Sequence, residues 1–227
     1  MKAFKSIVIR YRHIIPLLVY SAIFLTWFNT LERTITKRYH VVHVPIDDHI
    51  PFIEVFIVPY LLWFAYVALV ITYFFFKDKD DYYKVCLFLG LGMTIFLIVS
   101  TVWPNGHHLR LTEMPRDNIF TWMIQCFWEH DTSTNIVPSI HVYNSIGVHI
   151  ALVKSKHFDN RKGIKLASLI LCTSIVLATV FIKQHSVFDV ITAFIMAILI
   201  YAIVYHADVI AAYRAKTGIH KKCPRIS

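Results

Sequence analysis

Asn135-Ile-Val-Pro-Ser-Ile-His-Val-Tyr-Asn-Ser145 is the stretch around which the rest of the chain is read. It stands at the mouth of an apolar run and puts Ser139 and His141 in the first turn of the helix that the run predicts. About forty residues later Lys183-Gln-His-Ser-Val-Phe-Asp189 opens a second apolar run. There His185 and Asp189 are four apart and share one helical face. Pro138 is expected at the first helical position, where its missing N–H would be unpaired anyway. The free N–H groups of that turn, with the Ser139 hydroxyl, form a natural anion site. An ionisable residue inside a membrane helix is costly unless paired or wetted. Asp189 therefore either just satisfies His185 or belongs to a site, and the recurrence of Ser139 and His141 at the same depth favours a site. Phosphate is the ligand it suits, with Arg110 and Lys183 in neighbouring loops as cations. Lys183 equally fits a flank residue that snorkels to the membrane surface.

The surrounding composition is that of a membrane protein. The 227 residues are 57% hydrophobic, mean hydropathy is +0.56, and the apolar residues gather in long runs. Net charge is +9. In such a chain this reflects basic cytoplasmic loops, and no nucleic-acid partner is expected. The expected fold is all-α, one polytopic domain over 1–227, with six transmembrane helices at 14–31, 52–76, 84–103, 138–153, 164–182 and 187–206. The fourth is short and polar, so hydropathy supports it least. Leu31-Glu-Arg-Thr after the first run shows no small-x-small cleavage site, so the run reads as a retained span. Six spans put both termini on one side, and seventeen Lys and Arg lie on that side against six on the other. The positive-inside rule makes it the cytoplasm, with the plasma membrane the expected host, and turns the 1–2, 3–4 and 5–6 loops outward.

Within the 3–4 loop, Pro115-Arg-Asp-Asn118 starts a segment, Ile119 to Trp128, that is too short to span. It suits an interfacial helix or a cap over the bundle. Cys86, Cys126, Cys172 and Cys223 show no metal spacing and imply no disulfide, with Cys126 outside and Cys223 inside. His40-x-x-His43 and His107-His108 lack companions at ligand spacing, so no metal is expected. His149 reads as a packed histidine, and Glu54 suits a pairing with an outer-loop base.

Pro138-Ser-Ile-His141 followed by His185-x-x-x-Asp189 resembles the second and third motifs of the type-2 phosphatidic acid phosphatase superfamily. The likeness covers roughly 84–206, and the six-span layout with outward motifs is similar too. Arg110-Leu111 matches the end of the first motif with Leu for Pro; the Lys of that motif falls on Trp103, and the Arg of the third on Thr179. Missing basic ligands also look like the sphingomyelin and inositol-phosphorylceramide synthase branch, which moves a head group instead of hydrolysing it. The resemblance implies a catalytic His185 that attacks phosphorus, Asp189 that orients it and His141 that protonates the departing oxygen. Ser139, Arg110 and Lys183 would hold phosphoryl oxygens, without metal or other cofactor. The expected substrate is a lipid phosphate or pyrophosphate at the outer leaflet. Head-group transfer to a hydroxyl is the alternative enzyme, and a transporter or channel the alternative of another class.

Overall fold

A computed structural model describes residues 11–35, 37–208, 210 and 213. Cys223 and most of the basic residues of the two termini lie outside them. The described chain is mostly helical: α1 (Ile15–Thr34), α2 (Ile57–Lys77), α3 (Lys79–Val102), α4 (Ile119–His130), α5 (Ile140–Lys154), α6 (Lys162–Phe181) and α7 (Val187–Tyr201). Side chains fix several starts. Asp78 accepts from the N–H groups of Asp80 and Asp81, so α3 begins only one residue after α2 ends. Asn118 accepts from Phe120 and Thr121 and opens α4.

Five helices are long and apolar enough to cross a membrane: Arg12–Thr34, Glu54–Lys77, Lys79–Val102, Lys162–Phe181 and Val187–His206. Their outward side chains include Leu18, Leu69, Ile98, Leu166, Ile170 and Ile198. A water-soluble protein does not expose such continuous apolar faces, and the chain is an integral membrane protein. The expected fourth span, 138–153, is not among the five. It is α5, whose 15 residues reach about 22 Å at 1.5 Å per residue, against a hydrocarbon core of about 30 Å. The physical reason is position. α5 packs against α2, α3, α6 and α7, so Asn144, Ser145 and Gly147 can be buried in protein where lipid would reject them.

The α3–α5 contact is built on two glycines. The rings of Phe88 and Tyr143 stack at 4.8 Å, and the Tyr143 hydroxyl donates to the Phe88 carbonyl at 2.6 Å. A Cβ on Gly92 would lie 2.1 Å from the Tyr143 ring, and one on Gly147 would lie 2.5 Å from Phe88. Each helix thus receives the other's aromatic side chain where it has none of its own.

Three loops meet at one end of the bundle. β1 (His40–Val41) pairs in parallel with β2 (Asn105–Gly106), and Gly106 also bridges to Thr134. Asn105 is fully buried; its Oδ1 accepts from the N–H groups of Ile136 and Val137 at 2.9 and 3.0 Å. Glu32 near the end of α1 accepts from Thr132 and from Asn135. The segment leading into Ser139 is therefore held from two sides. At the same end Glu54 pairs with Arg116 at 2.8 Å and accepts from Asn118, which fixes the start of α4 to that of α2. One side of α4 buries Thr121 and Ile124, while Ile119 and Trp122 are exposed.

Candidate active site

The first motif helix begins two residues later than the expected 138, and the second begins at the expected 187, which leaves His185 outside it. Ser139 is the N-cap of α5, its Oγ accepting from the Val142 N–H, so Pro138 lies before the helix and not at its first position. Ser186 is the N-cap of α7, so His185 precedes that helix and shares no helical face with Asp189. The two still meet, because Asp189 is the third residue of a capping box. Its Oδ2 accepts from the Ser186 N–H at 2.9 Å and lies 3.2 Å from Nδ1 of His185. The Ser139 N–H donates to the Asp189 carbonyl at 3.3 Å. That bond ties the start of α5 to the first turn of α7 and sets the two motifs side by side.

The rings of His141 and His185 are 5.7 Å apart between centroids. His141 stacks on Tyr60 at 4.6 Å and meets the tilted ring of Trp63 at 4.4 Å. His185 is 7% exposed. Burial and then the charge of Arg110 push its pKa down to about 3, against an opposing hydrogen bond with Ile136. It is neutral at physiological pH. With Nδ1 turned to Asp189, Nε2 is the nitrogen left to act as a nucleophile once its ring gives up the Ile136 carbonyl. The first N–H groups of α5, at Ile140 and His141, have no helical carbonyl to bond and lie beside this pair.

Arg110 reaches the site but is already engaged. Nε and Nη2 donate to Gln184 Oε1 at 3.2 and 2.8 Å, and Nη1 to the Trp128 and Asp131 carbonyls at 3.2 and 2.7 Å. Nη2 also meets Asp131 Oδ2 at 3.0 Å and the Thr132 carbonyl at 2.8 Å. The guanidinium lies over the Trp128 ring. Lys183 is placed differently from both sequence readings. Its ammonium is buried and donates to the carbonyls of Asp47 and Ile50 at 2.9 and 2.7 Å, which anchors the 1–2 loop. Burial lowers its pKa, against the charges of Asp47 and Asp48. Asp47 in turn accepts from the Ser186 hydroxyl and from the Val187 N–H, capping α7 from outside.

Several neighbours escape a reading of motifs. His107 is fully buried. Its Nδ1 accepts from the Leu109 N–H at 3.0 Å, so Nε2 is the protonated nitrogen and donates to the Gln184 carbonyl at 2.9 Å. One imidazole thus joins the strand leading to Arg110 to the residue before His185. Burial, then His185 and Arg110, hold its pKa down at about 3. The His107-His108 pair offered a hint, but one read only against metal binding. Tyr60, Asp131 and Gln184 carried no spacing signal, since their partners are far away in sequence. His149 is a partner of Ser168 at 2.9 Å, deeper along α5. Among the described residues, one cluster of metal-ligating type occurs, Asp78, Asp81 and His157. It lies at the other end of α2, where Asp78 already caps α3.

Compared with protein-family models, curated proteins and solved structures, the chain matches none, so the geometry just described carries the functional argument.

Proposed function

We propose that this protein is a membrane phosphatase that hydrolyses a lipid phosphate or pyrophosphate at the outer leaflet through a phosphohistidine on His185. The observation that carries the reading is the pair of facing imidazoles, one of them neutral, buried and held by a carboxylate. In this scheme Nε2 of His185 attacks phosphorus and the bond to the leaving oxygen breaks. His141, which takes up a proton as the phosphate anion binds beside it, gives that proton to the oxygen. Asp189 accepts the Nδ1 hydrogen bond throughout and offsets the positive charge that forms on the ring. Neutral His141 then takes a proton from water, which attacks the phosphohistidine and releases phosphate, restoring both histidines. Ser139 and the first N–H groups of α5 stand nearest for the phosphoryl oxygens. α5 serves as the sixth, protein-enclosed span, both termini are cytoplasmic, and α4 lies in the outer interface with Ile119 and Trp122 toward lipid. Substrate then reaches the histidines at head-group depth.

Transfer of a phosphate-bearing head group to a hydroxyl is the second reading, and one observation favours it. Arg110 is matched by Asp131 and Lys183 by carbonyls, which suits a singly charged phosphodiester better than a dianion. The test is a panel of lipid phosphates, pyrophosphates and phosphodiesters with purified protein in EDTA, scoring free phosphate and transferred product separately. Phosphate release supports hydrolysis, and product without release supports transfer. Neither, combined with solute flux in proteoliposomes, sinks both in favour of transport.

A further inference from the structure

The guanidinium of Arg110 makes six donor contacts with five protons, and the crowding falls on Nη2. Nη2 carries two hydrogens and faces three oxygens, Gln184 Oε1 and the Thr132 carbonyl at 2.8 Å and Asp131 Oδ2 at 3.0 Å. The carboxylate is the longest of the three and the one best able to leave. Its side chain is 37% exposed against 16% for Arg110, and it follows directly on the end of α4. The two carbonyls that Nη1 meets are main chain and cannot swing away. Asp131 also acts electrostatically, with Arg110, on Tyr60, the ring stacked on His141.

We propose that Asp131 is a resident competitor for the phosphate seat: it holds Arg110, and an incoming oxyanion has to displace it, so Asp131 determines how tightly and at which pH the site takes an anion. The proposal rests on the phosphate reading above and adds its regulation. The groups facing Asp131 are Arg110 from the 3–4 loop, Glu32 from α1, Gln184 from the turn before α7 and Tyr60 from α2. Burial first, and Glu32 with it, push the Asp131 carboxyl up to about 6 in spite of Arg110. Below that pH the protonated group gives up its claim on the guanidinium. Above it the ionised group competes. His185 and His107, held near 3, do not titrate in this range.

The probe is sulfate, a tetrahedral dianion whose charge stays fixed across this range, titrated calorimetrically into the full-length protein in detergent. In the wild type, sulfate affinity is expected to fall about ten-fold for each pH unit above about 6. Asp131→Asn is expected to bind at neutral pH about ten-fold more tightly than the wild type, with little pH dependence, because Asn has no charge to be displaced. Asp131→Glu keeps the charge and should keep the slope. A wild-type affinity that is flat with pH overturns the competitor while leaving a phosphate site standing, and needs no variant to fold. A slope that survives in Asp131→Asn also overturns it, since the histidines would then carry the titration. No sulfate binding in any of the proteins at any pH, together with no phosphate release, overturns this proposal and the phosphatase reading together.

Discussion

Asp189 has two possible occupations, and a pair of substitutions separates them. It is the capping residue of α7 through Ser186 and the partner of His185, and its side chain is fully buried. Asp189→Asn keeps a carbonyl oxygen where Oδ2 stands, so both N–H groups retain an acceptor and the cap survives. What it loses is the charge opposite the imidazole, which matters only when His185 becomes positive on attacking phosphorus. A hydrogen bond to a charged group is worth about 1.5–3 kcal/mol. At about 1.4 kcal/mol per ten-fold, kcat is expected to fall roughly ten- to two-hundred-fold, while thermal unfolding stays close to that of the wild type. Asp189→Ala removes the acceptor as well. It leaves the Ser186 N–H and His185 Nδ1 unpaired in a buried place, at about 1–3 kcal/mol each, and is expected to lose both activity and unfolding temperature. The assay is phosphate release from a lipid phosphate in detergent micelles, with trapping of the acid-labile phosphohistidine and an unfolding scan on the same preparations. Normal turnover by Asp189→Asn, alongside an unstable Asp189→Ala, would refute the reasoning and leave Asp189 as a helix cap.

Three other outcomes are expected. His141→Ala should lose far more activity on a lipid phosphate, whose alkoxide needs a proton, than on an aryl phosphate, whose oxide leaves nearly unaided; equal losses would mean that His141 binds and does not protonate. For His107, whose pKa falls from 6.5 unfolded to about 3 folded, the sign follows from linkage. Below pH 6.5 the unfolded chain takes up a proton that the folded one refuses, so stability is lost as the pH falls, approaching about 1.4 kcal/mol per pH unit. His107→Gln, which can still donate and accept, should unfold with a visibly shallower acid slope; an unchanged slope would refute the assignment. In the third, an impermeant thiol reagent on intact cells should leave Asp159→Cys, an exposed position in the α5–α6 loop, unlabelled in a Cys126→Ser background; labelling without permeabilisation would invert the proposed orientation.

Hydropathy made α1, α2, α3, α6 and α7 legible because lipid-facing residues such as Leu18 and Ile198 must be apolar whatever the tertiary structure. It failed at α5 for the converse reason, since a helix enclosed by four others is freed from that constraint and reads as polar. Local spacing also revealed that Ser139, His141, His185 and Asp189 cluster, although the geometry came from caps and not from a shared helical face. The fates of Arg110 and Lys183 were hidden. A cation in a loop announces its charge, but its acceptors, Asp131 and Gln184 for one and the carbonyls of Asp47 and Ile50 for the other, come from segments that only folding brings near. His107 was hidden for the same reason, since its role consists of two backbone bonds.

The exchange of rings between α3 and α5 constrains how this molecule can work. Phe88 fills the notch at Gly147 and Tyr143 fills the notch at Gly92, so the two helices engage like a key with two bits. Sliding or rolling α5 along α3 would drive each aromatic ring into a neighbouring turn, and a close-packed interior resists such half-steps. His141, carried on α5, therefore has no axial play relative to α3, nor to the Asn105 loop that follows it. The turn that carries His185 is pinned as well, by the Lys183 ammonium on the 1–2 loop, by Gln184 between His107 and Arg110, and by Ser186 on Asp47, so both imidazoles stand on fixed supports.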